Sequence, residues 1–295
     1  MALFFVALLA GLAIGSIYGL VGLGYTIVFN ATRVFNLAQG DLVMVGVMGS
    51  YFLMDVLGSP TWLCFPAIVV FVAVVAGLEE RFIVRPFLSR TGSAVFGWFI
   101  ATLGFSAALE AIVTASFGHH PVVGIPSPVP LAGFHIGSVV LGYRQLLVIG
   151  SFLIIITALD VFYRKTWTGR AMRATAEDRE AASLRGVNPI AMSQLSFVIA
   201  GLVAGVAGFI IAPIVLSNPS VGLSFTLKGF VALALGGFGS LRGAVVGGLL
   251  LGVSEQMFDV YVTPKFEILV PLVLLTLILN FKTEGLFPTS STRTV

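Results

Sequence analysis

From residue 1 to residue 32 the chain carries no Asp, Glu, Lys, Arg or His. A helix needs about 20 apolar residues to cross the hydrocarbon of a bilayer. This run therefore predicts a first membrane-spanning helix. It is longer than a signal-peptide core and has no basic residues ahead of it, which predicts that it is retained. Similar apolar runs lie at 42–57, 62–78, 93–117, 145–162 and 190–216. Three shorter ones, 225–238, 244–258 and 267–281, are interrupted by glycine or a charge. The pattern predicts a single all-α polytopic membrane domain over 1–295 with eight to ten transmembrane helices. Nine crossings follow if every run spans, and eight or ten if one glycine-rich piece is re-entrant.

Two hydrophilic stretches interrupt this pattern. Residues 118–143 hold all three histidines (His119, His120, His135) together with Pro121, Pro126, Pro128 and Pro130. So many prolines predict an ordered, non-helical cap, suited to docking an external partner. With no thiolate or carboxylate in the loop, no metal site is predicted there. The second stretch, 163–189, is the longest, and its core GRAMRATAEDREAASLRG at 169–186 predicts one helix. Alanine is the best helix former, Arg173 and Glu177 stand at i,i+4, and Gly186 before Asn188-Pro189 is a strong stop. Ala171, Ala174, Ala181 and Ala182 give it a small-residue surface. Either another protein approaches closely there, or the helix is a linker that fixes topology.

Polar and glycine residues also break the apolar runs themselves. Segments 36–41 and 236–243 each precede an apolar helix and resemble two copies of one parallel element. Backbone exposed at membrane depth is tolerated only against protein or a water-filled cavity, and free amides there can meet a polar substrate. Asn36, Gln39, Gly40, Asp41, Gly237, Gly239 and Ser240 are therefore candidates for a translocation path. Gly11, Gly15 and Gly19, like Gly201 and Gly205, recur at i,i+4 and predict close helix packing instead. Ionisable residues inside spans are costly and tend to be functional. Glu110, Lys228 and Glu255 lie deep, with a Glu110–Lys228 pair expected to pin helices together. Asp55 and Asp160 are expected at the interfaces.

Composition narrows the classes. The chain is 58% hydrophobic and only 10% charged, against about 25% charged in soluble domains, so a soluble fold is excluded. Its 25 Phe exclude disorder and its single Cys64 excludes a disulfide scaffold. Positive charge orients the spans. An N-out, C-in arrangement of nine crossings places 13 of the 16 Lys and Arg inside, including Arg33, the group Arg81, Arg85 and Arg90, six residues from Arg164 to Arg185, Arg242, Lys282 and Arg293. The basic excess thus serves topology and carries no signal for nucleic acid. No G-x-x-x-x-G-K-[ST] loop occurs, and no Ser/His/Asp, metal or paired-carboxylate set falls inside the spans. A non-catalytic chain is expected, and any ATP-derived energy comes from another subunit.

Three motifs resemble one family. EAASLRG at 180–186, within GRAMRATAEDREAASLRGVN, is similar to the EAA-x-x-x-G signature of ABC importer permeases, and specifically to the branched-chain amino acid permeases. GSIYGL at 15–20, GYT at 24–26 and FNLAQGD at 35–41 resemble the family's N-terminal pattern. LGGFGSLRGA at 235–244 and GGLLLGVSE at 247–255 resemble its C-terminal one. The resemblance runs in order from about residue 15 to 260. Gln39 and Asp41 stand where the family has His and Glu, Glu110 replaces a neutral residue, and the I-x-L-P tail is missing after Gly186. The resemblance implies the membrane-spanning subunit of a bacterial inner-membrane importer for branched-chain or related small amino acids or amides. Its implied partners are a second permease, identical or homologous, two cytoplasmic ATPases carrying ATP and magnesium, and an extracytoplasmic binding protein. It further implies that 169–186 is the helix gripped by the ATPase, through Gly169, Arg170, Arg173, Glu177, Asp178, Glu180, Ala181, Ala182 and Gly186. The competing expectation is a self-sufficient ion-coupled transporter using Glu110, Lys228 and Glu255.

Overall fold

In the computed structural model of the chain we describe residues 2–88, 97–118, 121, 127, 129–130, 132–136, 139–215, 217–266, 269–282 and 285–287. Helix α1 (Ala2–Thr32) leads through a short coil into α2 (Gln39–Tyr51), which ends in a π-helical turn, Phe52–Val56. Helix α3 (Thr61–Glu79) runs through a second π-helical turn (Glu80–Val84) into the short α4 (Arg85–Leu88). Next come α5 (Gly97–Phe117), strands β1 (Gly133–Ile136) and β2 (Val139–Gly142), α6 (Tyr143–Lys165), α7 (Trp167–Glu177) and α8 (Arg179–Leu184). The chain closes with α9 (Pro189–Ile211), α10 (Val221–Gly236), α11 (Leu241–Tyr261), a 3-10 turn (Pro264–Phe266) and α12 (Leu269–Phe281). Six of these helices are long and apolar enough to cross a membrane: α1, α3 with its continuation, α5, α6, α9 and α11. The protein is a multi-pass membrane protein.

Helices α1 and α9 are central, with 56% and 67% of their apolar windows buried, whereas α5 has 11% and lies at the periphery. Helix α1 packs along α11, and the glycines at i,i+4 make that approach possible. A side chain at Gly11 would meet the Val253 backbone at 2.7 Å, and one at Gly15 would meet the Gly248 carbonyl at 2.8 Å. Gly201 and Gly205 give α9 the same closeness to α3, at Ala73 and Val69. In lipid, where apolar surface gains little by self-association, such close contact supplies much of the packing energy.

Two sequence expectations change here. The hairpin was not expected in an all-α chain. β1 and β2 pair antiparallel with Ile136 opposite Val139, so only Gly137-Ser138 separates the strands in sequence, a short hairpin signal. The non-helical cap thus includes a β-hairpin, while His119, His120, Pro126, Pro128 and the side chain of His135 lie outside the described residues, as do Arg90 and Arg293. The broken segment 36–41 is also shorter than expected: Gln39, Gly40 and Asp41 already form the first turn of α2, where Asp41 complements the positive helix end.

Candidate functional site

The hydrophilic excursion between α6 and α9 folds as two short helices rather than the single one expected. Thr166 caps α7, its Oγ1 accepting from the Gly169 amide at 2.9 Å. Gly169 lies so close to Phe162 O and the Tyr163 backbone that a side chain there would overlap them, which allows the sharp α6–α7 turn. Asp178 then breaks the helix. Its backbone is extended (φ −152°, ψ 112°), and its Oδ1 accepts from the Glu180 and Ala181 amides at 2.9 and 3.0 Å. An aspartate that caps so well favours a new helix start over continuation. Gly186 ends α8 in the left-handed region (φ 84°). Asn188 caps α9 through bonds from Ile190 and Ala191, with Pro189 at the first helical position.

This pair presents a distinct face. Ala171, Met172, Thr175 and Ala182 are buried against the spans, while Arg170, Arg173, Glu177, Asp178, Glu180, Ala181 and Gly186 are exposed. Trp167 and Leu184 project as apolar knobs, 75% and 89% exposed. No Arg173–Glu177 ion pair forms among the described residues; the pairs that do form include Arg85–Glu80, Arg164–Asp160 and Lys228–Glu255. Arg33 ties the excursion to α1. Its Nη2 donates to Ala176 O at 2.5 Å, its guanidinium lies 5.6 Å from the Phe29 ring centre, and it is the non-glycine residue in the left-handed region (φ 60°) among those described. Between these elements opens a cleft of about 1350 Å³, which Asn30, Arg33, Asp160, Arg164 and Arg173 line with Gly239 and Ser240 from the α10–α11 turn and Arg242 from the start of α11.

Two polar clusters lie deeper. At the start of α2, Asn36 Nδ2 donates to Glu79 Oε2 at 3.0 Å, Gln39 Nε2 donates to Ala200 O at 3.3 Å, and Ser106 Oγ donates to Asp41 Oδ2 at 2.5 Å. Asn36, Gln39, Asp41 and Glu79 are all buried, and Gly40 is pressed against the backbone of α10 at Gly222 and Thr226. The second cluster joins α1, α10 and α11. Lys228 Nζ stands 2.6 Å from Glu255 Oε1 and 3.0 Å from Tyr18 Oη, while Tyr18 Oη donates to Glu255 Oε2 at 2.6 Å. The expected Glu110–Lys228 pair is thereby corrected. Lys228 and Glu255 come from helices that pack side by side, and Glu110 sits on the peripheral α5.

The profile of the family described as "Branched-chain amino acid transport system / permease component" matches residues 7–279. The chain belongs to this family. It is 32% identical to the high-affinity branched-chain amino acid transport system permease protein LivH of Escherichia coli (strain K12), over 94% of this chain and 92% of that protein. It is 25% identical to LivM of the same organism, also named a permease protein of that system, over 92% of this chain and 68% of LivM. The solved structure of PsaBC from Streptococcus pneumoniae in complex with Fab is similar with a TM-score of 0.51 at 14% identity, covering 100% of this chain and 94% of that one. That likeness concerns the fold.

For a permease of this family, the residues picked from sequence, apart from Glu110, Lys228 and Glu255 placed above, fall in three places. Those of the 169–186 segment line the exposed α7–α8 excursion, apart from the buried Gly169 and Ala182. Gly239 and Ser240 reach the cleft. Gly237, with φ 106°, shapes the α10–α11 turn behind them. Asn36, Gln39, Gly40 and Asp41 are enclosed by α1, α3, α5, α9 and α10 rather than lining that cleft. Several contributors went unnoticed in the sequence. Glu79 and Glu80 were assigned to no role, yet both are buried, with Glu80 held by Arg85 at 2.6 Å and Ser193 at 2.9 Å. Two adjacent carboxylates closing an apolar run were the available signal. The aromatic group joining the two chain breaks was missed as well. Phe35 stacks on Phe29 at 4.5 Å and meets Phe238 and Phe230 edge-on at 5.4 and 5.9 Å.

Proposed function

We propose that this chain is the membrane-spanning permease subunit of a bacterial ABC importer, with nine crossings in the inner membrane, its N-terminus outside and its C-terminus inside. The solute is a branched-chain amino acid or a related small amino acid or amide. The observation that carries this reading is full-length similarity to LivH together with an exposed α7–α8 pair capped at Thr166, Asp178 and Asn188. Similarity to both LivH and LivM supports a pair of homologous permeases, with two ATPase subunits binding ATP and magnesium and an external binding protein completing the system. The chain itself is non-catalytic.

In this reading the ATPase grips α7–α8 through Arg170, Arg173, Glu177, Glu180 and Ala181, with Trp167 and Leu184 seated in its cleft. Closure of the ATPase dimer displaces the pair, and the short α6–α7 turn and the Arg33–Ala176 bond pass that motion to α6 and α1. The path runs beside the two chain breaks. Gly237, Gly239 and Ser240 form its inner mouth, and Asn36, Gln39, Gly40 and Asp41 are uncovered when α2 parts from α10. The ion-coupled alternative is not favoured, because Lys228 and Glu255 satisfy each other with Tyr18. Replacing Glu180 and Gly186 tests the reading in a strain carrying the companion subunits. ATPase association and ATP-dependent uptake should both fall; unchanged values for both would overturn the coupling assignment.

A further inference from the structure

The cleft beside α7 opens at the proposed inner mouth, at Gly239 and Ser240, yet it carries an arginine rim that passage of a solute without net charge leaves unexplained. Its charged lining comprises Arg33, Arg164, Arg173 and Arg242 against Asp160, Glu177 and Asp178, a surplus of one positive charge. Two of the carboxylates are already engaged. Asp160 Oδ1 accepts from Arg164 at 2.8 Å, and Asp178 Oδ1 caps α8. Ser240 and Leu241 open α11, a helix of 21 residues, at the same cleft, adding the positive end of its dipole. We infer that this cleft binds the phosphate of an anionic phospholipid headgroup.

The depth of the basic residues decides for a lipid. Arg33 directly follows the last residue of α1, Arg164 is the penultimate residue of α6, and Arg242 is the second residue of α11. All three helices are long enough to span, so their ends lie where headgroups lie. Basic pockets between helix ends on the cytoplasmic side hold acidic lipid headgroups. A surplus of one charge suits one phosphodiester. The apolar knobs that suit a protein partner, Trp167 and Leu184, are not part of the lining, although Arg173 and Glu177 border both faces. Arg33 is held in place by Ala176 O, so part of the site is preorganised. The site rests on the membrane orientation proposed above; lipid retention is read without uptake, so either can fail alone.

The full-length chain, purified and delipidated, is offered phosphatidylglycerol or phosphatidylcholine in detergent, and retained lipid is counted by native mass spectrometry. One phosphatidylglycerol per chain should be retained in preference to phosphatidylcholine. The double variant R164Q/R242Q should lower that retention about thirtyfold, each arginine near the surface contributing comparably. Its melting temperature in phosphatidylcholine serves as the folding control. Equal retention of the two lipids by the wild-type chain overturns the inference whatever the variant does, as does undiminished retention by a folded variant. Sodium phosphate is added against chloride of equal ionic strength. Displacement of lipid by phosphate alone would reassign the site to a soluble phosphate and overturn the lipid source.

Discussion

Removing the lysine from the Tyr18–Lys228–Glu255 cluster gives the sharpest test of how the spans are held. The Lys228 and Glu255 side chains are 11% and 4% exposed and 2.6 Å apart. Lys228→Met leaves the Glu255 carboxylate with Tyr18 but without its counter-charge. Breaking one side of a buried pair costs about 3–5 kcal/mol. Removing both charges, as in Lys228→Met with Glu255→Gln, removes the desolvation burden too and is often close to neutral. Tyr18→Phe should fall between, because it deletes one hydrogen bond to a charged group, worth about 1.5–3 kcal/mol. The assay is thermal unfolding in detergent followed by size-exclusion chromatography, with ATP-dependent uptake measured in parallel. The single variants should be destabilised, and the double variant should recover stability and retain uptake. A double variant as unstable as Lys228→Met, or one that is stable yet transport-dead, would refute the view that this cluster is a strut.

Three further outcomes follow from the packing and the caps. Gly252→Leu should prevent stable assembly of α1 on α11, because even a Cβ there overlaps the Gly15 backbone; overpacking alone costs about 1–3 kcal/mol, and near-normal melting of the purified variant would count against that contact. Asp178→Ala removes the cap of α8 and about 1 kcal/mol of local helix stability, so proteolysis at 177–180 should accelerate while the melting temperature of the whole chain holds. Leu184→Asp alters a side chain that is 89% exposed; the isolated chain should melt as wild type while ATPase co-purification drops, and unchanged co-purification would remove Leu184 from the coupling face.

Most of the architecture was legible because a bilayer forces long apolar runs, and such runs carry little ambiguity. The runs at 1–32, 145–162 and 190–216 correspond to α1, α6 and α9. What the pattern could not show were features decided by single side chains in tertiary context. Asp178 sits in an alanine-rich segment that reads as one helix, and only its cap geometry splits α7 from α8. The Glu110–Lys228 pair followed from depth alone, whereas the true partner of Lys228 is set by which helices are neighbours. That information is absent from a single chain's hydropathy. Segment 36–41 was legible as polar. That it is enclosed depends on Glu79, Ser106 and the backbone of Ala200, which lie 38 to 164 residues away along the sequence.

The contrast between the two ends of the coupling route bears on how the proposed importer transmits force. At the ATPase side the fastenings are short and stiff. Gly169 is packed on the α6 backbone, Thr166, Asp178 and Asn188 fix three helix starts, and Arg33 joins α7 to α1 in a strained conformation that surrounding contacts must sustain. At the α2 end the fastenings are few polar bonds from buried side chains, including a 3.3 Å bond from Gln39 to the Ala200 carbonyl, and Gly40 lets α2 rest directly on α10. Buried polar bonds that leave some acceptors unfilled, as at Asp41 Oδ1 and Glu79 Oε1, forgo part of the stabilisation that full pairing gives. In the proposed mechanism, a displacement applied at α7–α8 is passed to α1 and α6 through these fastenings, and the proposed path opens where α2 meets α10.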